Sequence, residues 1–186
     1  MSYVSSIVPM VNDMLTQVAS IPYQWNGDKA YPSVLFQKVA VYNKQPEREL
    51  EDKNNNYAFD KPACFLEFRF ENPIALVGGS TLYDLVLICH LVDRQEDAGD
   101  GTLDQNLEVL AYRDLLVNYM SNYQATFCNP LYKCGEEMDK DHSNVYIYKI
   151  MFKCGFTDIS GSFTQNKTDV GGNAMTATLT ETIIPN

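Results

Sequence analysis

Residues 81–92, "TLYDLVLICHLV", constrain the fold more than any other stretch. The run is apolar on both faces for most of its length. A strand of that kind sits at the centre of a sheet with cover on both sides. Its longest unbroken apolar part, Leu85 to Val92, is interrupted by His90. It is far shorter than the roughly 20 residues that a membrane-crossing helix needs. Just upstream, residues 63–71, "ACFLEFRFE", alternate cleanly. Cys64, Leu66, Phe68 and Phe70 face one way, and Phe65, Glu67, Arg69 and Glu71 face the other. This spacing predicts a strand with one wet face. "NPIALVGGS" between the two runs turns the chain.

Around these strands the rest of the order can be read. Ile7, Met10, Val11, Met14, Leu15 and Val18 recur at three- and four-residue spacing, which predicts a helix over residues 6–20. Ser5 or Ser6 can cap it, and Pro9 falls in its first turn. Residues 33–43 read as a strand. Residues 43–62 form a long, charged, Asn-rich excursion, a projecting hairpin or arm. A second helix is expected over residues 104–122, with Asp104 as its N-cap and Leu103, Leu107, Leu110, Ala111, Val117 and Met120 as its apolar stripe. Residues 123–143 read as irregular. Residues 144–156, "NVYIYKIMFKCGF", read as a third long strand, with Val145 and Ile147 on one face and Tyr146 and Tyr148 on the other. The stretch "MTATLTETIIP" closes the chain as a Thr-rich edge strand.

This order predicts an α+β fold, a mostly antiparallel sheet with two helices packed on one face and long polar excursions. Residues 1–160 form the expected core domain, and 161–186 a C-terminal arm or edge strand. A hydrophobic content of 45% against 20% charged residues is enough for a real core.

The formal net charge is -10, with 14 Lys and Arg against 24 Asp and Glu. Counterion displacement on nucleic acid needs clustered cations, so a DNA-gripping surface is not expected. The N-terminus lacks the basic and apolar regions of a secretory signal, and a reducing cytoplasm is the expected folding compartment. The five cysteines fit it, because Cys64, Cys89 and Cys154 lie in apolar strand-like runs where thiols act as small hydrophobes.

Several stretches invite a chemical reading. "DRQEDAGDGTLDQNLE", residues 93–108, looks like a calcium loop. Aligning Gly101 with the invariant glycine puts Ala98 and Leu107 at ligand positions and leaves the bidentate Glu missing. A connector with Asp104 capping a helix is the better account. Cys128, Cys134, His142 and Cys154 suggest zinc, but Cys128 and Cys134 are separated by five residues, wider than structural zinc pairs use. Cys89 and His90 are adjacent, so on a strand they point to opposite faces and cannot form a nucleophile pair. Glu136 and Glu137, and Glu47, Glu49, Glu51 and Asp52, lie in charge runs, which are usually solvated. The expectation is therefore no enzyme, no cofactor, no metal and no catalytic residue.

The layout of "IVPMVNDMLTQVAS", "ACFLEFRFE", "TLYDLVLICHLVDRQEDAGDGTLDQNLEVLAYRDLL" and "NVYIYKIMFKCGF" resembles that of tail terminator proteins of long-tailed phages and related tail-completion and head–tail joining proteins. The resemblance lies in pattern and order across residues 5–156. It implies a virion structural protein, assembled in the host cytoplasm, that forms a homo-oligomeric ring, hexameric in that family. Such a ring caps the tail tube and joins it to the neck or connector. DNA passes through without specific binding, and no membrane is involved. An acidic lining would suit that passage. Under this expectation the interfaces are the 43–62 excursion, the edge of the N-terminal helix and the Thr-rich tail. Two other readings stand beside it. One is a baseplate, cap or sheath-associated protein of a contractile injection machine. The other is a small metal- or ligand-binding enzyme domain using Cys128, Cys134 and His142, or the acids of residues 93–104.

Overall fold

A computed structural model describes residues 5–23, 33–51, 58–94, 104–139 and 145–160. The elements run α1 (Ile7–Ala19), β1 (Lys38–Val41), α2 (Gln45–Glu51), β2 (Ala63–Ala75), β3 (Thr81–Arg94), α3 (Asp104–Met120), β4 (Tyr132–Asp139) and β5 (Val145–Asp158). The strands form one sheet in the order β1-β2-β3-β5-β4. Only β1 and β2 run parallel, and every other neighbouring pair is antiparallel. The fold is α+β, and β3, the strand apolar on both faces, is its centre.

Alternation assigns each side chain to a face. Cys64 and Leu66 of β2, Leu85, Leu87, Cys89 and Leu91 of β3, and Ile150, Phe152, Cys154 and Phe156 of β5 share one face by register. They join Met10, Met14 and Val18 of α1 and Val109, Tyr112, Leu116 and Met120 of α3 in one buried cluster. Each such large side chain removed from water contributes about 1.5–3 kcal/mol before entropy is counted. The opposite face carries a smaller cluster of Ala63, Phe65, Val92 and Ile147, with Ala40, Tyr42 and Phe59 packed against it.

Ser6 is the N-cap of α1 without a side-chain cap bond, and Ser5 Oγ before it accepts the Val8 N–H at 3.4 Å. The Ser6 hydroxyl instead donates to Asp158, tying the helix start to the end of β5. The Asp13 carboxylate accepts from the Thr126 backbone N–H at 2.9 Å, and Gln17 Nε2 donates to Tyr119 O at 3.2 Å. These bonds hold α1 to α3 and to the loop after it.

Four expectations need correction. Residues 132–139, inside the stretch read as irregular, form β4. The strand expected over 33–43 shortens to Lys38–Val41, because Val34 pairs back with Pro22 in an isolated bridge. The excursion at 43–62 contains a third helix, α2. On α3 the buried residues include Val109, Tyr112, Leu116 and Met120, while Leu110 and Ala111 face solvent. That helix carries apolar residues on several sides, so periodicity alone did not single out the buried stripe. The stretches 95–103, 140–144 and 161–186 lie outside the described residues, and with them the centre of the acidic loop, His142 and the Thr-rich tail.

Candidate functional site

Two regions gather features that the core does not require. The first is the pair of sheet margins. Among the described residues, β1 flanks β2 only from Ala63 to Leu66. From Glu67 onward that side of β2 has no described strand beside it, and the outer side of β4 is likewise a margin. An open margin presents unpaired backbone donors and acceptors, a template for another strand.

The phase of those groups follows from the ladder. Gln37 N–H bonds Pro62 O at 2.8 Å and Tyr42 N–H bonds Leu66 O at 2.9 Å. Even-numbered β2 residues therefore point their backbone outward, which includes Phe68 and Phe70. On the other margin, Asn129 N–H bonds Gly155 O at 2.8 Å and Thr157 N–H bonds Phe127 O at 2.9 Å. Odd-numbered β5 residues thus point toward the β4 side. They pair with Gly135 and Glu137, so Glu136 and Met138 point outward.

The β2–β3 hairpin continues past the margin. A bulge between Glu71 and Ile74 bends it, with Asn72 at φ 49° and its side chain donating to Asp84 at 2.9 Å. Gly78 and Gly79 turn the tip at φ 90° and 83°, a conformation that glycine adopts without strain. Leu76 N–H closes the turn on Ser80 O at 2.8 Å. Ile74 is 56% exposed and Val77 is fully exposed. No charged residue occurs between Glu71 and Asp84.

The second region lies under the excursion, on the face away from α1 and α3. His90, only 4% exposed, stacks on Tyr42 with ring centroids 4.1 Å apart and planes 3° apart. His90 Nε2 lies 2.9 Å from Glu67 Oε2, and Glu67 Oε1 accepts from Arg69 Nε at 2.7 Å. Tyr42 donates its hydroxyl to Glu47 of α2 at 2.5 Å, and Lys61 pairs with Glu49 of α2 at 2.5 Å. Burial pushes the His90 imidazole down from its ordinary value, against the upward pull of Glu67. Burial raises the Glu67 carboxyl, but Arg69 and His90 together outweigh it and hold it low. Polar pins therefore clasp the excursion to the sheet.

Of the residues singled out for metal or thiol chemistry, the structure brings Cys128 and Cys154 together. Cys128 is buried in hydrogen-bond contact with Cys154, and that contact together with burial pushes its thiol up. Cys64 is buried against Cys89, and burial raises its thiol well above the ordinary value. The Cys128 contact lowers the Cys154 thiol, whereas Cys64 and Cys128 are held protonated, a form that is a poor nucleophile and a poor metal ligand. Cys134 is exposed on β4, at the irregularity between Lys133 and Gly135. Cys89 joins the helix-side core and His90 the other face, as their adjacency required. Among the described residues no three His, Cys, Asp or Glu side chains converge as a metal site. Glu136, read as part of a solvated run, accepts from Arg113 Nη2 at 2.6 Å and pairs with Lys133 at 2.7 Å. The His90–Tyr42–Glu47 chain escaped sequence reading because it joins two strand segments and a helix with no shared period.

The chain matches no family model, and no curated protein is significantly similar to it.

Proposed function

We propose that this chain is a structural protein of a virion. Copies of it close into a ring that caps a tail tube and joins it to the neck. One observation carries the reading: among the described residues, the sheet has an open margin at β4 and another along the outer half of β2. Sequential antiparallel pairing fixes the polarity. If β2 points up, β3 points down, β5 up and β4 down. Rotation about an axis along the strands brings β4 of one copy beside β2 of the next in antiparallel sense. Heterologous contacts of this kind close into rings where the rotation between copies closes. The net charge of -10 supports a ring through which DNA slides without sticking.

The test is mass in solution by light scattering over a concentration series, with negative-stain images of the same sample. Closed rings of about six subunits are the expected result. A chain that stays monomeric across the series sinks the proposal. A role in the baseplate, cap or sheath of a contractile machine would use the same margins. Binding to purified tail tubes as against purified sheath separates the two.

A further inference from the structure

We infer that Cys128 and Cys154 are a site of reversible disulfide formation, closed by a low-molecular-weight disulfide once the protein leaves reducing surroundings. The inference stands apart from the ring reading and needs only one copy of the chain. It rests on how the loop after α3 crosses β5. Asn129 N–H bonds Gly155 O at 2.8 Å and Thr157 N–H bonds Phe127 O at 2.9 Å. These two bonds bracket Cys128 and set it opposite Phe156 in an isolated antiparallel bridge. The Cys128 N–H turns instead to Ala125 O at 3.0 Å, so Cys128 and Phe156 are a narrow pair with side chains close. Cys154 lies two residues along β5 on the same face as Phe156. Its sulfur meets that of Cys128. Both residues are buried, Cys128 at 4% and Cys154 at 3% exposure.

Diagonal neighbours on one face of an antiparallel pair have Cα atoms about 7–8 Å apart, and a disulfide spans up to about 6.8 Å. Closing the bond therefore asks the loop to slide by about 1 Å. Cys128 is free to make that shift, because a single isolated bridge joins it to β5. Cys64 and Cys89 are the contrast. They too are in contact and diagonal, Cys64 opposite Leu91 and Cys89 opposite Leu66, but inside an unbroken ladder with further strands on both sides. Access also favours Cys128, whose neighbours Phe127 and Asn129 are exposed. One opening of the loop brings its thiol to solvent.

The exchange takes two displacements. Outside the core the Cys128 thiol loses its proton and attacks one sulfur of oxidised glutathione, and one glutathione leaves as its thiolate. The loop closes again. The Cys154 sulfur, its proton passed to water, then attacks the Cys128 sulfur and expels the second glutathione. The two protein thiols give up two electrons and two protons, and the small disulfide becomes two thiols. In a reducing compartment the reverse exchange keeps the pair open. The bond ties β5 to the loop whose Thr126 holds Asp13 of α1. It also restrains the unfolded chain between its two ends.

The experiment uses the full chain in a Cys134→Ser background, which removes the exposed thiol. The folded, reduced protein is incubated with oxidised glutathione, blocked with N-ethylmaleimide in denaturant, digested with trypsin and weighed. The expected product joins a fragment ending at Lys133 to one beginning at Cys154. Two of the remaining thiols are lost with it, and dithiothreitol returns both. The oxidised chain melts about 5 °C or more above the reduced one. Cys128→Ser abolishes that difference, and the fragment map reads the pair directly should that variant fail to fold. Thiols that all stay free overturn the inference. So do glutathione left on Cys128 without a bond to Cys154, a bond between Cys64 and Cys89 in its place, and a bond that forms only in denaturant.

Discussion

Leu87 and Val77 mark the two extremes among the side chains. Leu87 is fully buried in the middle of β3, opposite Phe68 on one side and Phe152 on the other. Leu87→Ala is expected to cost about 2–5 kcal/mol, read from the urea midpoint, because a dense core closes poorly over a lost isobutyl group. Val77 is fully exposed at a hairpin tip, so Val77→Asp should move the same midpoint by less than about 0.5 kcal/mol. A larger loss at Val77 would mean that the tip packs against something in the isolated chain. Burial at this scale was legible at Cys64, Leu66 and Cys89, but the single wet face expected for 63–71 was not found: Phe65 on that face is buried and Phe70 on the other is 37% exposed. It was not legible for Gly155, where an added Cβ would lie 2.8 Å from Asn129 Nδ2. That close approach comes from a loop crossing β5, and nothing in the local pattern signals it.

Among the elements, α2 is held to its neighbours through polar groups. It touches the sheet through Glu47 on Tyr42 and Glu49 on Lys61, with Pro46 buried beneath it. Deleting residues 46–56 removes these pins and leaves every pairing of β2, β3 and β5 intact. The far-UV spectrum should keep its strand signal and unfolding should stay cooperative, with about 1–3 kcal/mol lost for the partners left unsatisfied. Loss of the cooperative transition would make α2 part of the core. The long strands were readable because each is a sustained run of one period. β4 was missed for a physical reason. "YKCGEEMD" has four charged residues, a glycine and an irregular register after Lys133. Only its pairing with β5 makes it a strand, and propensity yields to such context.

For the whole molecule, protonation sets the range of stability. The Asp13 carboxyl is held low by Thr126, Asp84 by Asn72 and Lys153, and Glu136 by Lys133 and Arg113. A carboxyl lowered in the folded state stabilises above its unfolded value of about 4 and loses that contribution as pH falls through the folded value. His90, also lowered, acts in the same sense at higher pH: its contribution is complete above about 6.5 and fades below it. Urea midpoints should therefore fall in two stages from pH 7.5 to pH 3. His90→Gln should remove only the upper stage, and a curve flat from 7.5 to 5 in the native chain would contradict this. At this scale the order of elements apart from α2 and β4, and the central place of β3, were legible in the sequence. The two margins of the sheet among the described residues were not, because which strand ends a sheet depends on pairings between distant segments. Those same pairings set an order in time. β3 finds β2 at once across a short turn, but its other neighbour comes from 51 to 77 residues later in the chain, Arg94 with Val145 and Thr81 with Asp158. At about 5–20 residues per second, a ribosome leaves the hairpin waiting for several seconds with one flank bare. In that interval the nascent chain is most open to capture by a sibling chain on the same message.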